Sequence, residues 1–138
     1  MNARILCAYD GSAAAGKAFD FALIMASAFR SDLRVLAVAQ PPEPPEDVET
    51  EALLDAAHEH YEELFAALKA KAVAAGVRAE FEVCAGHPAE QILYHADSWQ
   101  ADHIVLGHRG KNVFRRWLMG SVSNRVISYA TCTVTVVR

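Results

Sequence analysis

Gly107, Gly110 and Gly120-Ser121-Val122-Ser123 are spaced by two residues and then by nine, and they form the densest set of residues able to do chemistry in this 138-residue chain. Glycine lets a backbone approach an oxyanion with no Cβ in the way, and it tolerates positive φ, so successive N–H groups can converge on one anion. If Gly120 and Ser121 open a helix, the unpaired N–H groups of its first turn and its dipole also favour negative charge. The chemistry implied is phosphate binding. A plainer use stands beside it: Gly107 ends a strand, Gly110 makes a turn and Ser121 caps a helix. Charge weighs for phosphate, because Arg109, Lys111, Arg115 and Arg116 fall within the same loop.

The net charge of −4 conceals an asymmetry: residues 1–102 carry all 17 acids against seven Lys and Arg, a net −10, whereas residues 103–138 carry six Lys and Arg and no acid, a net +6. A basic C-terminal segment favours an anionic partner, but an acidic whole repels duplex DNA, so a small phosphate ligand fits better than nucleic acid. There is no GxxxxGK[ST] and no GxG anywhere, which excludes the P-loop and the dinucleotide fingerprint. His58 and His60 stand two apart on a predicted helix and face different ways, with no partner three or four residues off, so no metal site is expected. Cys7, Cys84 and Cys132 lack CxxC spacing and sit among apolar or β-branched neighbours, as buried inert thiols would.

The elements that must position this loop follow from hydrophobic period. Short apolar runs alternate with helical patterns, the signature of βαβ units in a parallel sheet. Arg4 to Tyr9 reads as a buried strand, and Ser12 as the cap of a helix whose apolar face is Ala15, Phe19, Ala22, Ala26 and Phe29. Leu33 to Ala39 is strand two, and Pro41, Pro42, Pro44 and Pro45 then force an extended loop. Acids from Asp47 to Asp55 suit the start of a second helix, with Leu53, Ala57, Tyr61, Leu64, Leu68 and Ala72 as its stripe and an end near Gly76. Val77 to Cys84 alternates apolar and charged residues, as an edge strand with one wet face does. Pro88 opens a short helix with Ala89, Ile92, Leu93 and Ala96, His103 to Leu106 is strand four, a final helix runs from about Ser121 to Ala130, and Thr133 to Val137 is strand five.

Five parallel strands and four helices with right-handed crossovers make one α/β domain over residues 1–138, a doubly wound open sheet of order 3-2-1-4-5 with helices on both faces. Winding reverses between strands one and four, and ligands in such sheets bind at that reversal, beyond the carboxyl ends of the strands, here Asp10-Gly11 and Gly107. The opening MNARILCAYD lacks the long apolar stretch of a secretory signal and no run approaches about 18 uncharged apolar residues, so a soluble cytoplasmic protein with no membrane partner is expected.

Several segments in order, ILCAYDGS, VLAVAQP, GHPAEQIL, DHIVLGHRG and LMGSVSNRVI, resemble the universal stress proteins along essentially the whole chain. The glycine spacing is similar to that of the ATP-binding members. The resemblance implies a Rossmann-like fold of the adenine nucleotide alpha hydrolase type and an ATP-binding stress-response sensor or regulator, with AMP or ADP as alternative ligands and Mg²⁺ admissible beside the phosphates. It implies that Asp10 approaches the nucleoside, that Val38 offers backbone groups to adenine, and that Gly107, Gly110, Gly120, Ser121 and Val122, followed by Ser123, line the ribose and phosphates with help from Arg109. Asp10 also has the simpler use of capping the turn after strand one, and Val38 that of core packing. His108 and Thr133 depart from the family's pattern, standing where a small hydroxyl residue and a proline are common.

Val113, Phe114, Trp117 and Leu118 make the loop apolar enough to pack against something. Val134 and Val136 lie on an edge strand, a pairing template, and the resemblance implies a homodimer through residues 133–137. No general base with a positioned partner stands beside the loop, so a binding module is favoured over a weak Mg²⁺-dependent ATPase or nucleotidyl transferase. A nucleotide-free dimeric scaffold is the third reading.

Overall fold

The computed structural model describes residues 3–41, 47–108 and 120–138. Its elements alternate without exception: β1 (Arg4–Ala8), α1 (Ala13–Phe29), β2 (Asp32–Ala39), α2 (Asp47–Ala74), β3 (Ala79–Ala85), α3 (Pro88–Trp99), β4 (His103–Gly107), α4 (Gly120–Tyr129) and β5 (Thr133–Val137). The strands form one parallel sheet in the order β3-β2-β1-β4-β5. Leu6, Cys7, Ala8, Val35, Leu36, Ala37, Ile104, Val105 and Leu106 are fully buried, as the central strands of a sheet covered on both faces must be. β3 is an edge strand, two residues shorter at its start than its alternating pattern indicates. Its Glu80 and Glu82 are exposed, and Glu80 accepts a hydrogen bond from Arg34 Nη2 at 2.8 Å.

Aromatic packing places α1 and α2 on the same face. The Phe65 ring lies 5.2 Å from Phe81, 6.2 Å from Tyr9 and 6.4 Å from Tyr61, and Phe19 of α1 reaches Phe81 at 6.4 Å. α3 packs on α4. Right-handed crossovers place this second pair on the opposite face, because the winding reverses between β1 and β4.

Two expected stripe residues do not face the core. Phe29 is 72% exposed, as the last residue of α1 before its left-handed cap at Arg30. Leu53 is 49% exposed for a different reason. α2 has 28 residues and β3 only seven, so the helix runs about 42 Å against a strand of about 23 Å. Its first turns, which hold Leu53, therefore extend beyond the length of the strand. The stripe instead centres on Tyr61, Phe65, Leu68 and Ala72. Of the thiols, only Cys7 is fully buried; Cys84 and Cys132 are half-buried. Among the described residues no helix is long and apolar enough to cross a membrane.

Candidate functional site

The carboxyl end of β1 is built from its own side chains. Asp10 is 5% exposed, and its Oδ1 accepts from the Ser12 N–H at 2.9 Å. Ser12 Oγ in turn accepts from the Ala15 N–H at 3.0 Å, satisfying one orphan donor of α1. Gly11, at φ +81°, makes the reversal between them, and a Cβ there would lie 3.0 Å from Leu64 Cδ1 of α2. The turn-capping use of Asp10 is thus realised, and it fixes the carboxylate at the reversal of winding.

Gly107 ends β4 beside this turn. Cys7 pairs with Val105, which sets Gly107 level with Tyr9 and next to Asp10 on the neighbouring strand. A Cβ on Gly107 would stand 2.6 Å from the Ala14 carbonyl oxygen and 2.7 Å from its carbon. The first turn of α1 lies directly against the strand end, so close approach requires glycine here whatever else the residue does. His108 continues the pairing, its N–H donating to the Val137 carbonyl at 2.7 Å. Thr133 opens β5 opposite His103.

α4 starts at Gly120, with Ser121 exposed and Val122 half-buried. Ser123 is 3% exposed, and its Oγ has no hydrogen-bond partner among the described residues. A buried hydroxyl without a partner costs about 1–3 kcal/mol, which makes this one a candidate ligand contact. Arg109 and Gly110 lie outside the described residues, as do Val113, Phe114, Trp117 and Leu118. Ser123→Ala should therefore raise the melting temperature of the ligand-free protein by roughly 2–4 °C, the equivalent of about 1 kcal/mol. A fall in melting temperature would show that the hydroxyl has a partner.

Val38 lies beyond the last β1–β2 partners, Ala8 and Leu36, and pairs only with Cys84 of β3. Its side chain is fully buried, so any contact with a ligand must come from the backbone. The Leu36 carbonyl accepts from the Tyr9 N–H at 2.9 Å on the β1 side. Backbone polar groups alternate along a strand, so those of Val38 point the same way, past the end of β1.

One feature of this edge is missing from the sequence reading. At the ends of β2 and β3, a cavity of about 360 Å³ is lined by Ala39, Val83, Cys84 and Ala85 from the sheet and by Leu54, Asp55 and His58 from the overhanging turns of α2. The length mismatch between α2 and β3 was the available signal. His58 is not without a neighbour four residues away, since its Nε2 lies 3.8 Å from Glu62 Oε1. Burial, reinforced by the charge of Glu82, pushes the Cys84 thiol up to about 11, so it stays protonated at neutral pH. Among the described residues no group of three His, Cys, Asp or Glu is placed to hold a metal.

The whole chain, residues 1–138, matches the model of the Universal stress protein family. Universal stress protein YxiE of Bacillus subtilis is 32% identical over 150 residues, spanning 98% of each chain. Universal stress protein UspA from Lactobacillus plantarum superposes with a TM-score of 0.87 at 28% identity, over 99% of this chain and 97% of its own. A universal stress protein from Archaeoglobus fulgidus, solved in complex with dAMP, has a TM-score of 0.72 over 100% of this chain and 98% of its own; at 20% identity that likeness shows the fold alone.

Proposed function

Because the chain belongs to the universal stress protein family, we propose that it binds an adenine nucleotide, ATP, ADP or AMP, across the carboxyl edge of its sheet. The observation that carries this reading is the Ser123 hydroxyl, buried in the first turn of α4 with no partner among the described residues, three positions after Gly120. Phosphate oxygens supply the acceptor that this hydroxyl lacks, and the first N–H groups of α4 supply the donors that phosphate requires.

The order of the strands supports the rest of the arrangement. From β4 through β1 to β2 is two strand spacings, about 10 Å, comparable with the reach from a nucleotide's phosphate to its base. Gly107, Gly110 and Arg109 then serve the phosphates with Gly120, Ser121, Val122 and Ser123. Asp10 accepts a ribose hydroxyl, and the Val38 backbone meets the base. The dAMP complex of the Archaeoglobus fulgidus protein is in keeping with a purine nucleotide ligand on this fold. Any Mg²⁺ is held chiefly by the phosphates, which suits an ion that keeps several waters and takes few protein ligands.

The outer edge of β5 has no strand partner among the described residues. Val134 and Val136 are half-buried on it. A second copy pairing there would cover the edge and make the protein a homodimer. Native mass spectrometry of the protein purified without added nucleotide, followed by calorimetry with AMP and ATP, tests both parts. The expected result is a dimer carrying, or readily taking up, one adenine nucleotide per chain.

A nucleotide-free scaffold is the second reading, and one observation favours it: the packing of Ala14 demands Gly107 with no ligand present. An unchanged melting temperature in millimolar ATP and in millimolar AMP would establish it over nucleotide binding.

A further inference from the structure

We propose that the outer surface of α1 and α2 is an interface between two copies of this chain, in which the first half of α2 from each copy packs into an apolar groove beside α1 of the other. The groove, of about 360 Å³, is lined by Leu23, Ile24, Ser27 and Ala28 of α1 and by Ala75 just past the end of α2. Ile24 on its wall is 69% exposed, and Phe21, one turn earlier, is exposed as well. Nine consecutive residues of α1, 21–29, carry no charge on any side of the helix. A helix that is apolar all round is a covered helix, yet the buried side of α1 is only that of Ala15, Ala18, Phe19, Ala22 and Ala26. An exposed apolar surface with a groove in it marks contact with another molecule.

Charge identifies that molecule. Residues 23–31 and 68–78, the two stretches that supply the groove, contain Arg30, Lys69, Lys71 and Arg78 and no acid, although residues 1–102 as a whole carry a net −10. All four cations are exposed. Lys71 lies 3.2 Å from Asp20 and Lys69 4.0 Å from Glu62, but such surface pairs are weak and do not prevent a second acid from approaching. The groove therefore suits an apolar surface bordered by acid, and this chain contains one. Residues 49–63 of α2 hold six acids, all exposed, and no Lys or Arg, around the exposed Leu53.

The two complementary surfaces stand at opposite ends of one face. Leu54 and Asp55 line a cavity with Ala39 and Ala85, at the carboxyl ends of β2 and β3. Ala75 lies at the other end, where the chain leaves α2 for the start of β3. A two-fold axis across the helices lays each end over the opposite end of the second copy, so the contact forms twice and the assembly closes. Pairing along β5, at the opposite edge of the sheet from β3, is a separate contact.

Sedimentation equilibrium of the full chain, without nucleotide, tests the interface. Ile24→Glu places an acid where the acidic half of the second copy must sit, and an unchanged melting temperature confirms that the variant folds. Its assembly should contain half as many copies as that of the unmodified protein at the same concentration, whether or not β5 also pairs. Two charge variants give an independent readout. The first, Lys69→Glu with Lys71→Glu, and the second, Glu51→Lys with Asp55→Lys, should each self-associate through this face at least about tenfold more weakly than the parent, because like charges then meet. Mixed together, the two variants should associate with each other, since both contacts of the mixed pair join opposite charges. Misfolding cannot produce that recovery. An Ile24→Glu assembly with as many copies as the parent overturns the proposal, as do charge variants that ignore each other. Binding of an acidic amphipathic peptide to the groove, in a chain that does not associate through it, overturns it in favour of a different protein as the occupant.

Discussion

Gly107→Ala is expected to destabilise the protein by about 2–3 kcal/mol, lowering the melting temperature by roughly 8–12 °C for a chain of this size. The added Cβ would sit 2.6 Å from the Ala14 carbonyl oxygen and 3.0 Å from the Ala15 nitrogen, both backbone atoms of the first turn of α1. Flexible side-chain ends can move aside, but this turn is held on three sides. Ser12 caps it, Asp10 holds Ser12, and Ala15, Ala18 and Phe19 anchor it in the core. Relief therefore requires β4 to separate from α1, beside the strands that form the centre of the sheet. Thermal unfolding followed by circular dichroism measures the loss directly, and it should appear in full without any nucleotide. A variant as stable as the parent would mean that α1 does not lie against β4 as closely as described.

The architecture was legible because its signals are local and redundant. Alternation in Phe81, Glu82 and Val83 marks an edge strand, near-continuous apolar runs at Leu6–Ala8 and Ile104–Leu106 mark central ones, and right-handed crossovers leave one strand order. What sequence could not supply depends on where two elements end relative to each other. Leu53 has the spacing of a core residue and is exposed because α2 outruns the sheet. The helical period admits Leu64 and Phe65 alike, yet Phe65 is the fully buried centre of the aromatic cluster and Leu64 only half-buried. Period alone does not distinguish neighbours on a helix shoulder whose sheet is twisted beneath it.

Gly107 illustrates the same limit at the site. Its place in a glycine pattern points to an anion, whereas its immediate need for glycine arises from Ala14, 93 residues earlier in the chain. Its φ is not in the left-handed region, so proximity and not backbone strain accounts for it. The cavity under α2 left only one trace in the sequence, the length of α2 against β3, because its lining joins Leu54, Asp55 and His58 to residues of β2 and β3 that share no sequence pattern with them.

Gly120→Val should have the opposite signature to Gly107→Ala. Gly120 is the first residue of α4, and in a helix valine is favoured over glycine by a few tenths of a kcal/mol. The ligand-free fold should therefore keep its melting temperature within about 2 °C. A β-branched side chain at the first residue of α4 would instead add bulk at the helix entrance, where the proposed phosphate meets the first N–H groups. In the parent protein a nucleotide at a hundred times its Kd stabilises by about 2.7 kcal/mol, or roughly 8–10 °C. The variant should lose all of that shift while remaining folded. Unchanged ATP and AMP affinity by calorimetry would refute a phosphate seat at this helix. Loss of stability in the ligand-free state would place Gly120 with Gly107, as a residue required by packing. The combination expected, one glycine needed by the fold and the other by the ligand, separates two functions that a single sequence motif presents as one.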